Sequence, residues 1–243
     1  MNSNDNLKSI ELLSNGSRGY ISTNTNLYND FINSKTTKLI LNKAMLGIPL
    51  IQLGNKNPKV MIVSGIHGNE LPSQSASIHL INHLNQVNIK GTVYIIPFAS
   101  PESTMYNIRN FRGYDLNRSA MIKDSITNNI IKKSENLKVE ALADFHSTGI
   151  NANPGREGVF SSRNPTFESV NIASFISKEM LSSHFGYNEA GVQFRGALED
   201  ESNIRGIPAV TCEVISKNGY IEGNSREKSF LQMLTFLTYF NII

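Results

Sequence analysis

The sequence predicts an α/β fold, and three observations predict it. Continuously apolar segments of strand length recur along the chain, and segments with helical spacing of apolar residues separate them. Hydrophobic residues make up 40% and charged residues 18%, an ordinary balance for a globular chain. Strands that are apolar along their whole length belong to sheets covered on both faces, so the sheet reads as mostly parallel or mixed. At 243 residues the chain is long enough to bury a sizeable core, and it reads as one catalytic-size domain over residues 1–243.

The elements follow in order. Residues 1–36 are rich in Asn and Ser and lack clear periodicity, which leaves partly ordered packing or a loosely ordered arm. Residues 38–41 and 48–53 read as short strands, and 55–58 as a turn. The run KVMIVS at 59–64 reads as a buried strand, and residues 70–84 as a helix with Ile78, Ile81 and Leu84 on one side. Residues 92–97 read as a second buried strand, 124–137 as a weak helix, 139–145 as a third strand and 158–161 as a fourth. A helix is expected over 165–183, with Pro165 in its first turn. Residues 209–215 read as a further strand, and a closing helix starts at about Arg226. No repeat, linker or low-complexity block interrupts the pattern.

Composition excludes several classes. A net charge of +3 with no basic block gives no support for a nucleic-acid partner. The lone Cys212 excludes an internal disulfide. The N-terminus lacks a charged segment followed by an apolar core, as a secretory signal would have. Residues 230–243 are too short to span a bilayer and carry Gln232, Thr235, Thr238 and Asn241. The expectation is a soluble, cytoplasmic protein with neither membrane nor nucleic-acid partner.

The chemistry gathers at strand ends. SGIHGNE at 64–70 follows a buried strand, and ligands bind beyond the carboxyl ends of strands in open α/β sheets. Gly65 and Gly68 permit a sharp turn and a close approach, and His67 and Glu70 can converge on one ion. A polar loop with a helix-start Glu is the plainer reading. His146 ends the separate strand ALADFH at 141–146 and would stand on the same rim. Two His and one Glu form an open three-ligand zinc set. Glu213 lies in the apolar run PAVTCEV at 208–214, where a buried carboxylate needs a partner or a task such as taking a proton from water. A structural salt bridge is its alternative.

Arg109, Arg112 and Arg118 crowd into residues 107–118 and suggest recognition of an anion, since guanidinium forks match carboxylates; for Arg112 a solvated loop is the better reading. Asp115 suits orientation of a ligand histidine. His79 and His83 stand four apart, but Leu80 occupies the place where the metalloprotease helix needs Glu. They read as structural, as does His184, placed near a helix end. No G-x-S-x-G elbow supports a Ser nucleophile.

Taken in order, His67-x-x-Glu70, Asp115-Leu-Asn-Arg118, His146 and Thr211-Cys-Glu213 resemble the zinc carboxypeptidase (funnelin) family over residues 48–215. The resemblance implies a three-layer α/β/α sandwich around a mixed, mostly eight-stranded sheet of the phosphorylase/hydrolase-like kind. It implies one zinc ion on His67, Glu70 and His146, with Glu213 as general base and later acid. Arg109 falls where that family polarises the scissile carbonyl, Asn117 and Arg118 where it holds a free carboxylate, and Asp115 where it orients His67. The family's substrate-capping Tyr has only Tyr187, in a Gly-rich loop, as a counterpart.

The short separation of Glu70 and His146 resembles the compact murein-peptide amidases and the succinylglutamate desuccinylase/aspartoacylase branch, and the GIHGNE wording suits the second. Members of that branch carry a further C-terminal domain, whereas only residues 214–243 follow Glu213. The expected substrate is a small or cell-wall-type peptide with a free terminal carboxylate. The alternatives are an N-acyl amino acid deacylase and a non-catalytic binding module. The pocket residue that selects the side chain is expected between Phe194 and Arg205. There GALEDE at 196–201 is strongly acidic: either a solvated loop or the mark of a substrate bearing an amino group.

Overall fold

A computed structural model describes residues 6–243. The strands are β1 (Leu7–Ser14), β2 (Ile48–Gly54), β3 (Lys59–Ser64), β4 (Thr92–Ile96), β5 (Ala141–Thr148), β6 (Gly158–Asn164), β7 (Ser183–Glu189) and β8 (Ala209–Ile215). The helices are α1 (Thr25–Tyr28), α2 (Lys35–Ala44), α3 (Leu71–Leu84), α4 (Pro101–Met105), α5 (Ile126–Leu137), α6 (Glu168–Glu179), α7 (Leu198–Ile204) and α8 (Ser225–Tyr239). Short 3-10 turns cover Ile21–Thr23 and Leu116–Arg118.

The described strands form one mixed eight-stranded sheet in the order β1-β2-β4-β3-β5-β8-β6-β7. Its centre, β4-β3-β5-β8, is parallel, while β2 runs antiparallel to β4, and β6 to β8. Alternation along these strands sends side chains into two separate cores. Val60, Ile62, Val93, Ile95, Ala141 and Ala143 meet α2, α3, α6 and α8, whereas Met61, Val63, Tyr94, Ile96 and Leu142 meet α5 and α7. Helices on both faces make the three-layer α/β/α sandwich that the resemblance implies. Each fully buried aliphatic in these layers, such as Ile62, is worth about 2–5 kcal/mol against truncation to Ala.

The architecture sets the position of the chemistry. Because β3, β5 and β8 run parallel, their carboxyl ends share one rim. The register pairs Ser64 with Phe145, Phe145 with Cys212, and His146 with Glu213. Antiparallel β6 begins on that rim, with Gly158 opposite Glu213.

Four local expectations are corrected. Residues 38–41 are not a strand but the middle of α2, capped by Ser34, whose hydroxyl accepts from the Thr37 amide. A short apolar run does not distinguish the two, and the burial of Thr37, Ile40 and Ala44 at three- and four-residue spacing shows the helical face. The first 36 residues are no loose arm where they are described: β1 pairs with β2, and the Asn6 amide donates to the carbonyls of Leu84 and Val87. The helix expected over 165–183 spans only Glu168–Glu179, and β7 follows it as an edge strand beside β6. The acidic stretch at 196–201 is no solvated loop: Glu199, Asp200 and Glu201 lie buried in α7. Among the described residues, no helix is long and apolar enough to cross a membrane.

Candidate active site

The turn after β3 brings His67 and Glu70 onto the rim. Gly65 adopts φ +74°, a left-handed conformation that favours glycine, and at Gly68 a Cβ would come within 2.1 Å of the Ser103 carbonyl carbon. Buried Gln74 holds this turn: its amide donates to the carbonyls of Gly68 at 3.2 Å and Glu70 at 3.1 Å, while its oxygen accepts from the Thr104 hydroxyl.

Three carboxyl groups and two imidazoles then interlock. Glu70 lies between the two histidines, with Oε1 2.8 Å from His67 Nδ1 and Oε2 2.7 Å from His146 Nδ1. On their far sides, His67 Nε2 is 2.9 Å from Asp115 Oδ1, and His146 Nε2 is 2.7 Å from Asp144 Oδ2. The imidazole rings are 5.0 Å apart between centroids. The Ser147 amide donates to Glu70 Oε2 at 3.2 Å, and Arg109 Nη1 donates to Glu70 Oε1 at 2.8 Å.

This donor set fits a metal ion. One ligand atom each from His67, Glu70 and His146 lie within 4.8 Å of one another, and all three residues are buried. A carboxylate on the Nε2 side of each ring fixes orientation and leaves Nδ1 to ligate, the arrangement that surrounds histidine-bound zinc. Two imidazole nitrogens and a carboxylate oxygen are ligand types that zinc accepts.

Electrostatics divides the carboxyl groups. Burial alone would raise Glu70, but the attraction and hydrogen bonds of His67 and His146 outweigh it and hold the group well below the usual carboxylate range. Asp115 is lowered in the same way: the hydrogen bond and charge of His67, with Arg109, outweigh its burial. His146 is raised well above the ordinary imidazole value, because Asp144 and Glu70 overcome its desolvation. Glu213 is pushed up to about 8, first by burial and then by repulsion from Glu70, with His146 acting against the rise. Its Oε2 is buried and has no hydrogen-bond partner among the described residues.

One cleft of about 750 Å³, solvent included, is lined by His67, Glu70, Arg109, Asn117, Arg118, His146 and Glu213 among others. Asn117 also has a structural task, since its Oδ1 accepts from the Leu198 amide at the start of α7. Arg118 reaches over the Phe194 ring, with its guanidinium carbon 5.5 Å from the centroid. Arg112 stands on the surface, paired with Glu102 at 2.8 Å.

Tyr187 does not line the cleft. It belongs to strand β7, not to a Gly-rich loop, and stacks behind two residues that do line it, Phe160 at 6.2 Å and Phe194 at 5.5 Å between centroids. His184 lies on the same strand, where its Nε2 meets the Ser161 hydroxyl, not at a helix end. His79 is tied to the Asp30 carbonyl, and His83 packs edge-on against Phe230.

Sequence reasoning missed three members of the site: Asp144, Gln74 and the Ser147 amide. The first had a signal, because Asp144 and His146 are two apart on a strand and share one face.

The fold has known relatives. An aspartoacylase family protein from Mesorhizobium loti is similar over 82% of this chain and 62% of its own, at 19% identity and a TM-score of 0.62. A metallo-carboxypeptidase from Burkholderia cenocepacia is similar over 79% of this chain and 60% of its own, at 16% identity and a TM-score of 0.57. The cell shape determinant protein Csd4 from Helicobacter pylori, solved with product bound, is similar over 81% and 56%, at 15% identity and a TM-score of 0.61. The chain thus spans less than two thirds of the length of each of these three, and at such identities the likeness speaks for the fold. Among curated proteins, none matches the sequence. The sequence profile of the succinylglutamate desuccinylase/aspartoacylase catalytic domain matches residues 56–214, and the chain therefore belongs to that family.

Proposed function

We propose that this chain is a zinc-dependent hydrolase that cleaves the amide bond of a small or cell-wall-type peptide bearing a free terminal carboxylate, with the whole chain acting as one catalytic domain. The observation that carries this reading is the convergence on one cleft of the His67, Glu70 and His146 donor atoms, the raised carboxyl of Glu213, and two arginines.

His67, Glu70 and His146 would hold a single zinc ion, which supplies a Lewis acid for a carbonyl oxygen and lowers the pKa of water. Glu213 takes the proton from the attacking water. Burial and the charge of Glu70 raise the Glu213 carboxyl, which makes it a stronger base than a solvated carboxylate. Arg109 lines the cleft beside Glu70 and offers its guanidinium to the oxyanion that forms at the carbonyl carbon. Glu213 then returns the proton to the leaving amine as the C–N bond breaks. Asn117, through its amide nitrogen, and Arg118 position the terminal carboxylate. Asp115 and Asp144 keep the two imidazoles oriented.

A second reading, an N-acyl amino acid deacylase, is favoured by the family match itself. It uses the same residues and differs only in what lies on the acyl side of the amide. Zinc-loaded protein assayed on short peptides and on succinyl and acetyl amino acids separates the two by kcat/KM. In either case Glu213→Gln is expected to lower kcat by roughly 10²–10⁴ while zinc content stays at the wild-type level. Full hydrolysis by a zinc-loaded Glu213→Gln protein would overturn the general-base role.

A further inference from the structure

The turn that carries His67 and Glu70 and the segment that carries Arg109 are separate pieces of chain, and one buried side chain joins them. Gln74 lies in the first turn of α3 and is 0% exposed. Its amide nitrogen is shared among the carbonyls of His67 at 3.4 Å, Gly68 at 3.2 Å and Glu70 at 3.1 Å. Its oxygen accepts from the hydroxyl of Thr104, in α4, at 2.8 Å. The amide packs on Gly65, where a Cβ would stand 3.1 Å from its carbon.

Helix α4 in turn anchors the arginine. The Ile108 amide donates to the Ser103 carbonyl at 3.0 Å, and the Ser103 hydroxyl donates to the Asn110 carbonyl at 3.2 Å. Both chain neighbours of Arg109 are therefore pinned to Ser103, beside Thr104. Arg109 itself reaches back to Glu70 Oε1 at 2.8 Å. The contacts form a closed ring from Glu70 through Gln74, α4 and Arg109 to Glu70 again.

Other contacts do not fix this spacing. The Ala99 and Ser100 amides donate to Ser64 and Gly65, at the start of the turn. Gly68 touches α4 directly, but an apolar contact limits approach without setting register. Among the described residues, Gln74 supplies the hydrogen-bonded link between residues 66–70 and α4. Such bonds are directional and, when buried, costly to leave unmade, so they hold one arrangement. Groups that act together on one transition state need that precision, since a misplacement of about 1 Å can lower a rate by roughly 100-fold.

We propose that Gln74 is a positioning residue: its side-chain amide sets the spacing between the ligand turn and the Arg109 guanidinium, so that the cation site and the oxyanion donor form one unit before substrate arrives. The assignment rests on the amide-hydrolase reading for its consequence in turnover, but not for its consequence in metal binding.

The test uses variants of the full chain. Thr104→Val cuts the bond to α4 and leaves the bonds to the ligand turn, and Thr104→Ser restores the hydroxyl. Gln74→Met keeps the length of the side chain and removes every bond. Asn82→Leu is the control: it removes a buried amide of the same helix, bonded to Thr37 and to the Ile78 carbonyl. In zinc-loaded protein, Thr104→Val is expected to lower kcat by roughly tenfold with KM and zinc affinity changed less, and Thr104→Ser to recover it. Gln74→Met is expected to weaken zinc binding by roughly tenfold in a competition titration and to change the visible spectrum of the cobalt-substituted protein. Asn82→Leu is expected to lower Tm alone.

A folded Gln74→Met protein with wild-type zinc affinity and cobalt spectrum would overturn the assignment, as would a Thr104→Val protein with wild-type kcat. Equal changes of spectrum in Gln74→Met and Asn82→Leu would also overturn it, by reducing Gln74 to packing. If Gln74→Met does not fold, the kcat of Thr104→Val against Thr104→Ser decides. If the wild-type protein hydrolyses no amide, the hydrolase reading fails on its own, and zinc affinity and the cobalt spectrum still decide.

Discussion

Glu70 and Glu199 line the same cleft, and both are buried, yet they stand at opposite ends of the carboxyl range. Burial pushes each upward. Glu70 is drawn far down by two imidazoles and sits 2.8 Å from a guanidinium, whereas Glu199 has an amide, a hydroxyl and another acid for company and rises. The difference teaches that desolvation does not decide the state of a buried acid; its charged partners do. One carboxylate is held ionised by the charged groups around it. The other has no cationic partner among the described residues, and burial and Asp200 raise it.

The largest expected effect that would sharpen this contrast comes from Glu70. Glu70→Gln removes the charge that both histidines face, and zinc content measured by elemental analysis is expected to fall to background, with hydrolysis falling alongside it. Retention of a full equivalent of zinc would break the assignment of Glu70 as a ligand. A smaller effect is expected at Asp144, which touches no ligand site but fixes His146. Asp144→Asn is expected to weaken zinc binding by roughly 10–100-fold in a competition titration, with kcat at saturating zinc changed less than affinity. An unchanged affinity would reduce Asp144 to a packing residue.

The smallest effect is a pH dependence of stability at Glu199. Its carboxyl holds a proton more readily in the folded than in the unfolded chain. That contribution favours folding fully below the ordinary carboxylate pKa and is lost as pH rises through the raised folded value. Glu199→Gln cannot titrate, so its melting temperature relative to wild type is expected to be more favourable at about pH 8 than at about pH 5. A difference that does not move with pH would show that Glu199 ionises normally.

The contrast also marks what the sequence made legible. β3, β5 and β8 are readable because strands covered on both faces are apolar throughout, and the polar residues that follow or interrupt them, His67, His146 and Glu213, stand out against such runs. β7 was not readable, because an edge strand with exposed and half-buried residues carries no comparable run. Residues 38–41 mislead because three consecutive apolar residues, Leu39, Ile40 and Leu41, fit strand and helix alike. Asp144 was passed over as part of a strand, although its spacing from His146 placed both on one face. At 196–201 the acids were visible as charge, but burial, the property that gives them meaning, comes from α7 packing against the sheet and from Asn117 capping that helix across a long loop in the chain.

The central claim is that His67, Glu70 and His146 form one cation site. Isothermal titration of zinc into metal-stripped protein tests it most directly. One equivalent bound per chain is expected, with that binding lost in His146→Ala; no binding at saturating zinc, or binding that survives His146→Ala undiminished, would rule the site out.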